Sequence, residues 1–117
     1  MRTRVILSLL LVAFGNVAAR AHAFLDHASP LVGSTIATPP HEVALTFTQN
    51  LEAAFSSVQV TDAKGTRVDQ GKPQITGNTM RVGLRAPGPG RYLVRWHVLS
   101  VDTHKTEGNF SFTVGGQ

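Results

Sequence analysis

The chain has 117 residues, with 11 Lys or Arg against 7 Asp or Glu, and no cysteine. That length suits one domain at most, and the lack of cysteine excludes a disulfide framework and any thiolate metal centre. The formal charge of +4 does not argue for an anionic partner, because the excess sits at the N-terminus.

Met1-Arg2-Thr3-Arg4 is a short basic stretch, followed by an apolar run from Val5 to Phe14 and then by Ala19-Arg20-Ala21. A charged start, an apolar centre and an Ala-x-Ala site in that order read as a secretory signal peptide. The run falls short of the roughly 20 apolar residues that cross a bilayer. Cleavage after Ala21 is expected, dividing the chain into a signal peptide (1–21) and one domain (22–117). Arg2, Arg4 and Arg20 leave with the signal, so eight basic residues face seven acidic ones and the net charge falls to +1. That balance gives no case for nucleic-acid binding. No second apolar stretch follows, so the expectation is a soluble exported domain with no membrane insertion after cleavage.

The mature region reads as short strands between turns. His41–Thr48 alternates, with Val43, Leu45 and Phe47 on one face. Gln49–Phe55 is the one place where a helical turn fits. Ser57–Asp62 alternates through Val58 and Val60, Asp62-Ala63-Lys64-Gly65 is a turn, and Thr66–Val68 is predicted to return as a short strand. Thr79–Arg85 sets Met80, Val82 and Leu84 on one face, and Ala86-Pro87-Gly88-Pro89-Gly90 breaks the chain. Arg91–Leu99 is the longest strand, with Tyr92, Val94, Trp96 and Val98 inward. Gly108–Val114 closes the chain with Phe110, Phe112 and Val114 inward. About seven such strands predict an all-β sandwich with Greek-key crossing, a small closed barrel being the alternative.

A histidine made N-terminal by cleavage is an uncommon ligand. The α-amine and ring Nδ1 of His22 can close a six-membered chelate on one ion, and a metal can displace the amine proton near neutral pH. Asp102 and His104 lie two apart, and in extended backbone such residues face the same way. An amine, two imidazoles and a carboxylate suit tetragonal Cu(II). His27 and His41 read as exposed. His97 lies opposite the Trp96 face and close to the Asp102 loop. Glu107 could orient a ligating ring, though a solvated carboxylate is the simpler reading.

His22-Ala23-Phe24-Leu25 with Ser29-Pro30, Val43-Ala44-Leu45-Thr46-Phe47, Phe55-Ser56, and Gly90-Arg91-Tyr92 through Trp96, Ser100, Asp102-Thr103-His104, Gly108, Phe110 and Phe112-Thr113-Val114 resemble the CopC family of periplasmic copper-binding proteins. The resemblance implies an Ig-like or cupredoxin-like Greek-key β-sandwich. It implies Cu(II) held by His22, Asp102 and His104, a periplasmic location, a role in copper carriage, buffering or resistance without catalysis, and a CopD-like membrane copper transporter as partner. Two positions depart from it. The region of the Met-rich Cu(I) loop of some members, roughly 61–72, has no Met or His here, which leaves Met80 to the core and predicts Cu(II) alone. Gln49 stands where some members carry a glutamate near the copper. The competing reading is a copper mono-oxygenase built on an N-terminal histidine brace. That enzyme needs an open position for oxygen and an aromatic substrate platform, whereas Tyr92 and Trp96 read as core.

Overall fold

A computed structural model describes residues 24–116; the expected signal peptide (1–21) and His22 lie outside the described residues. The strands are β1 (Leu25–Ser29), β2 (Thr35–Ile36), β3 (Glu42–Phe47), β4 (Ser57–Thr61), β5 (Asp69–Thr76), β6 (Thr79–Leu84), β7 (Gly90–Leu99) and β8 (Lys105–Val114). They form two four-stranded sheets, ordered β1-β3-β6-β5 and β2-β8-β7-β4. Pairing is antiparallel apart from β2 with β8. Among the described strands, every connection crosses between sheets except the β5–β6 and β7–β8 hairpins, giving the expected all-β sandwich.

The core follows directly from alternation, because successive strand residues point to opposite faces. Val43, Leu45 and Phe47 of β3, Met80, Val82 and Leu84 of β6, and Val58 and Val60 of β4 are all buried, as are Tyr92, Val94, Trp96 and Val98 of β7 and Phe110, Phe112 and Val114 of β8. Phe47 and Trp96 meet edge to face across the two sheets, with centroids 5.0 Å apart and planes at 75°, an arrangement that suits ring quadrupoles. Tyr92 stacks on Phe112 at 5.4 Å, and its hydroxyl donates to the Gly88 carbonyl at 2.7 Å. The Ala86–Gly90 break is thereby fastened to β7. Met80 is fully buried in the core.

Three expectations change. Thr66–Val68 is not a strand: Arg67 makes an isolated bridge with Thr61, and the Val68 amide donates to the Val60 carbonyl. The strand of that region is β5, which was not predicted. It is an edge strand with a register shift between Gln70 and Gln74 that contains Gly71 (φ 79°) and Pro73, so its alternation is broken. The last strand starts at Lys105, earlier than expected, because three polar residues pair with β7 ahead of the apolar run. The helical turn falls inside the anticipated segment, as a 3-10 turn at Ala53–Phe55.

One edge of the sandwich is closed by a buried carboxylate. Asp69 Oδ1 on β5 accepts from the Val60 amide on β4 at 2.9 Å and from Arg67 Nε at 2.9 Å, while Oδ2 accepts from Arg67 at 2.7 Å. Burial pushes the Asp69 carboxyl up, but the Arg67 guanidinium and the Val60 amide outweigh it and hold it below the usual carboxylate range.

Candidate metal centre

β7 and β8 pair without interruption from Gly90 opposite Val114 to Leu99 opposite Lys105. The loop at the end of this hairpin carries Asp102 and His104. Its backbone is fixed internally: the Thr103 amide donates to the Ser100 carbonyl at 2.8 Å, and the Ser100 amide donates to the His104 carbonyl at 3.0 Å. The loop is also tied to the segment that leaves β3. The Val101 amide donates to the Asn50 carbonyl at 3.0 Å, and Leu51 bridges Ser100.

His104 Nδ1 lies 3.2 Å from Asp102 Oδ1, so the structure brings the two residues together. The route differs from the extended backbone anticipated. Thr103 between them has φ 72°, in the left-handed region where a β-branched residue is uncommon. A tight turn, rather than strand alternation, makes the pair. A carboxylate only accepts, so the ring nitrogen facing it carries the proton, and in the neutral ring Nε2 is the nitrogen with the lone pair.

Two further side chains reach Asp102. The Ser100 hydroxyl, fully buried, donates to Oδ1. The Gln49 amide nitrogen, the group that must face a carboxylate, donates to Oδ2 at 2.9 Å and lies 3.2 Å from Oδ1. The Ser100 hydrogen bond is the main cause that holds the Asp102 carboxyl below its usual range; desolvation opposes it, and His104 adds to the lowering. The sequence by itself marks Gln49 only as a missing carboxylate. Its amide as a donor to Asp102 depends on β3 and the hairpin loop meeting in space, which no local pattern signals.

His97 and Glu107 are not part of this cluster. They are register partners on β7 and β8 and pair with each other at 2.9 Å on the exposed sheet face. His27 pairs with Asp26 at 3.0 Å, and His41 is exposed beside the start of β3. Among the described residues, no three His, Cys, Asp or Glu side chains lie close enough together to hold a metal. Asp102 and His104 are a pair. The described chain begins beside them: the Phe24 amide donates to Thr48 Oγ1 and the Thr48 amide to the Phe24 carbonyl, each at 2.9 Å, next to Gln49.

Comparison with known proteins agrees with this architecture. YobA of Escherichia coli strain K12 is 31% identical over 116 residues, covering 95% of this chain and 93% of that protein. The crystal structure of CopC from Methylosinus trichosporium OB3b superposes with a TM-score of 0.76 at 31% identity, over 82% of this chain and 96% of that one. PcoC, a methionine-rich copper resistance protein from Escherichia coli, superposes at 0.69 with 33% identity, over 80% and 99%. The CopC domain model matches residues 25–115, which spans the whole sandwich, and the chain therefore belongs to the CopC family.

Proposed function

We propose that this chain is an exported Cu(II)-binding protein for copper carriage, buffering or resistance. Cleavage after Ala21 frees His22, and the metal is held by the His22 amine and ring together with Asp102 and His104. The observation that carries this reading is the Asp102–His104 pair, fixed in the hairpin loop at the same end of the sandwich as Phe24. His22 is two residues from Phe24, and two residues span about 7 Å at most. The chain therefore joins an N-terminal chelate by a short tether to Phe24, which pairs with Thr48 beside Gln49.

The donor chemistry supports copper. Nitrogen and oxygen donors without thiolate or thioether suit Cu(II), and Met80 is buried in the core. PcoC is described as methionine rich, whereas this chain has only Met1 and Met80, which favours a single Cu(II) site. Tyr92 and Trp96 are buried, so they form no substrate platform of the kind a copper mono-oxygenase needs, and the carrier reading is preferred. Export places the protein in the periplasm. A CopD-like membrane copper transporter is the partner the family resemblance suggests.

The test is Cu(II) titration of the processed protein beginning at His22, beside a form with one Gly added before His22 and a His104→Ala variant. The reading expects both changes to weaken binding strongly. Equal binding by all three would remove the N-terminal chelate and the loop ligand together.

A further inference from the structure

We propose that Gln49 is a positioning residue for the metal, acting by presetting the Asp102 carboxylate. The inference rests on the reading that Asp102 is a ligand, and adds a residue that never touches the ion. Asp102 and His104 are about half exposed, with side-chain exposures of 45% and 50%. An exposed Asp samples several rotamers, and ordering it at the moment of binding costs affinity. Here it is ordered in advance. Gln49 sets one amide group across both carboxylate oxygens, at 2.9 and 3.2 Å, while Ser100 holds Oδ1 from the buried side. Donors from two directions fix the position of the carboxylate and the plane in which it lies.

Gln49 is itself suited to this task. The residues on either side are anchored, Thr48 by its amide to the Phe24 carbonyl at 2.9 Å and Asn50 by its carbonyl, which accepts from the Val101 amide at 3.0 Å. The side chain is half-buried. A rigid backbone thus carries the donor, the condition under which an outer residue can set ligand geometry. The amide is also neutral. It orients Asp102 without adding a charge, whereas a carboxylate at position 49 would repel Asp102 across the same gap until a cation arrived.

The experiment is a double-mutant cycle on the processed protein, read by Cu(II) affinity against a chromophoric competitor and by electron paramagnetic resonance. The variants are Gln49→Leu, which keeps volume and removes the donor, Asp102→Asn, and the two combined. Gln49→Leu is expected to lower affinity about 10- to 100-fold, the usual effect of removing an outer partner, with the copper spectrum broadened into more than one species. In the Asp102→Asn background the same change should cost less than about twofold, because the carboxylate that Gln49 presets is gone. An equal loss in both backgrounds means a merely structural role and overturns the proposal, as does an unchanged affinity and spectrum in Gln49→Leu. Circular dichroism of each variant establishes folding, and Gln49→Ala provides a second donor-free variant if Leu does not fold. If Asp102→Asn and His104→Ala leave Cu(II) binding intact, the parent reading fails instead, and the two failures are distinct.

Discussion

Gly108→Ala is expected to destabilise the sandwich through one contact. A Cβ at position 108 would stand 2.6 Å from Trp96 Cζ2, 3.0 Å from Cε2 and 3.3 Å from Cη2. The closest approach must open by roughly 0.9 Å to reach an ordinary carbon–carbon separation of about 3.5 Å. Trp96 cannot retreat easily, since it is 6% exposed and set edge-on against Phe47. Overpacking of this kind costs about 1–3 kcal/mol. Replacing a strand glycine returns about 0.5–1 kcal/mol through the unfolded chain, leaving a net loss of about 0–2.5 kcal/mol, centred on about 1 kcal/mol. For a domain of this size the central value lowers Tm by about 4–8 °C. Gly83→Ala is the control. Gly83 also lies in a strand, but its nearest neighbours would be Gln70 atoms at 3.7 and 3.8 Å, so the substitution should be neutral or stabilise by about 0.5 kcal/mol. Urea denaturation followed through the single tryptophan reads both, and the Gly108→Ala emission maximum should shift as the indole moves. Equal midpoints for the two variants, or an unchanged emission maximum in Gly108→Ala, would refute the packing argument.

Asp69→Asn should cost about 1.5–3 kcal/mol at neutral pH, the value of a hydrogen bond to a charged partner, measured by urea midpoint. The folded Asp69 carboxyl sits below its unfolded value, so its stabilisation is complete above the usual carboxylate pKa of about 4 and is lost as pH falls through the lowered folded value. The gap between wild type and variant should therefore close in acid; a gap that widens there would contradict the assignment. Ser100→Ala should raise the Asp102 pKa toward the ordinary carboxylate value, since the Ser100 hydroxyl is the first cause of its depression; a carboxyl-carbon NMR titration of the metal-free protein measures this. Phe112→Ala, in a fully buried position stacked on Tyr92, should cost about 3–5 kcal/mol in the same denaturation assay. A smaller loss would mean that the two sheets can collapse around the cavity.

What the sequence determined by itself was the buried face of five strands and the types of residue able to ligate. Val43-x-Leu45-x-Phe47, Met80-x-Val82-x-Leu84 and Tyr92-x-Val94-x-Trp96-x-Val98 alternate cleanly, and a period of two in a half-buried sheet leaves one choice of inward face. Asp102 and His104 stood out by residue type and spacing. Tertiary structure decided the rest, because the causes are non-local. Strand β5 escaped detection because an edge strand with a glycine bulge and a proline carries no alternation, and only pairing with β6 makes it a strand. Asp102 and His104 meet through a turn with Thr103 left-handed, a geometry held by the Ser100 and Asn50 hydrogen bonds rather than by spacing. His97 is drawn to Glu107 by cross-strand register, although sequence proximity put it near the loop. Gln49 and Asp102, 53 positions apart in the sequence, become partners only when the end of β3 is packed beside the β7–β8 loop. Alternation is a local property that each segment carries alone, whereas a hydrogen bond between two loops exists only after both sheets have closed on a common core.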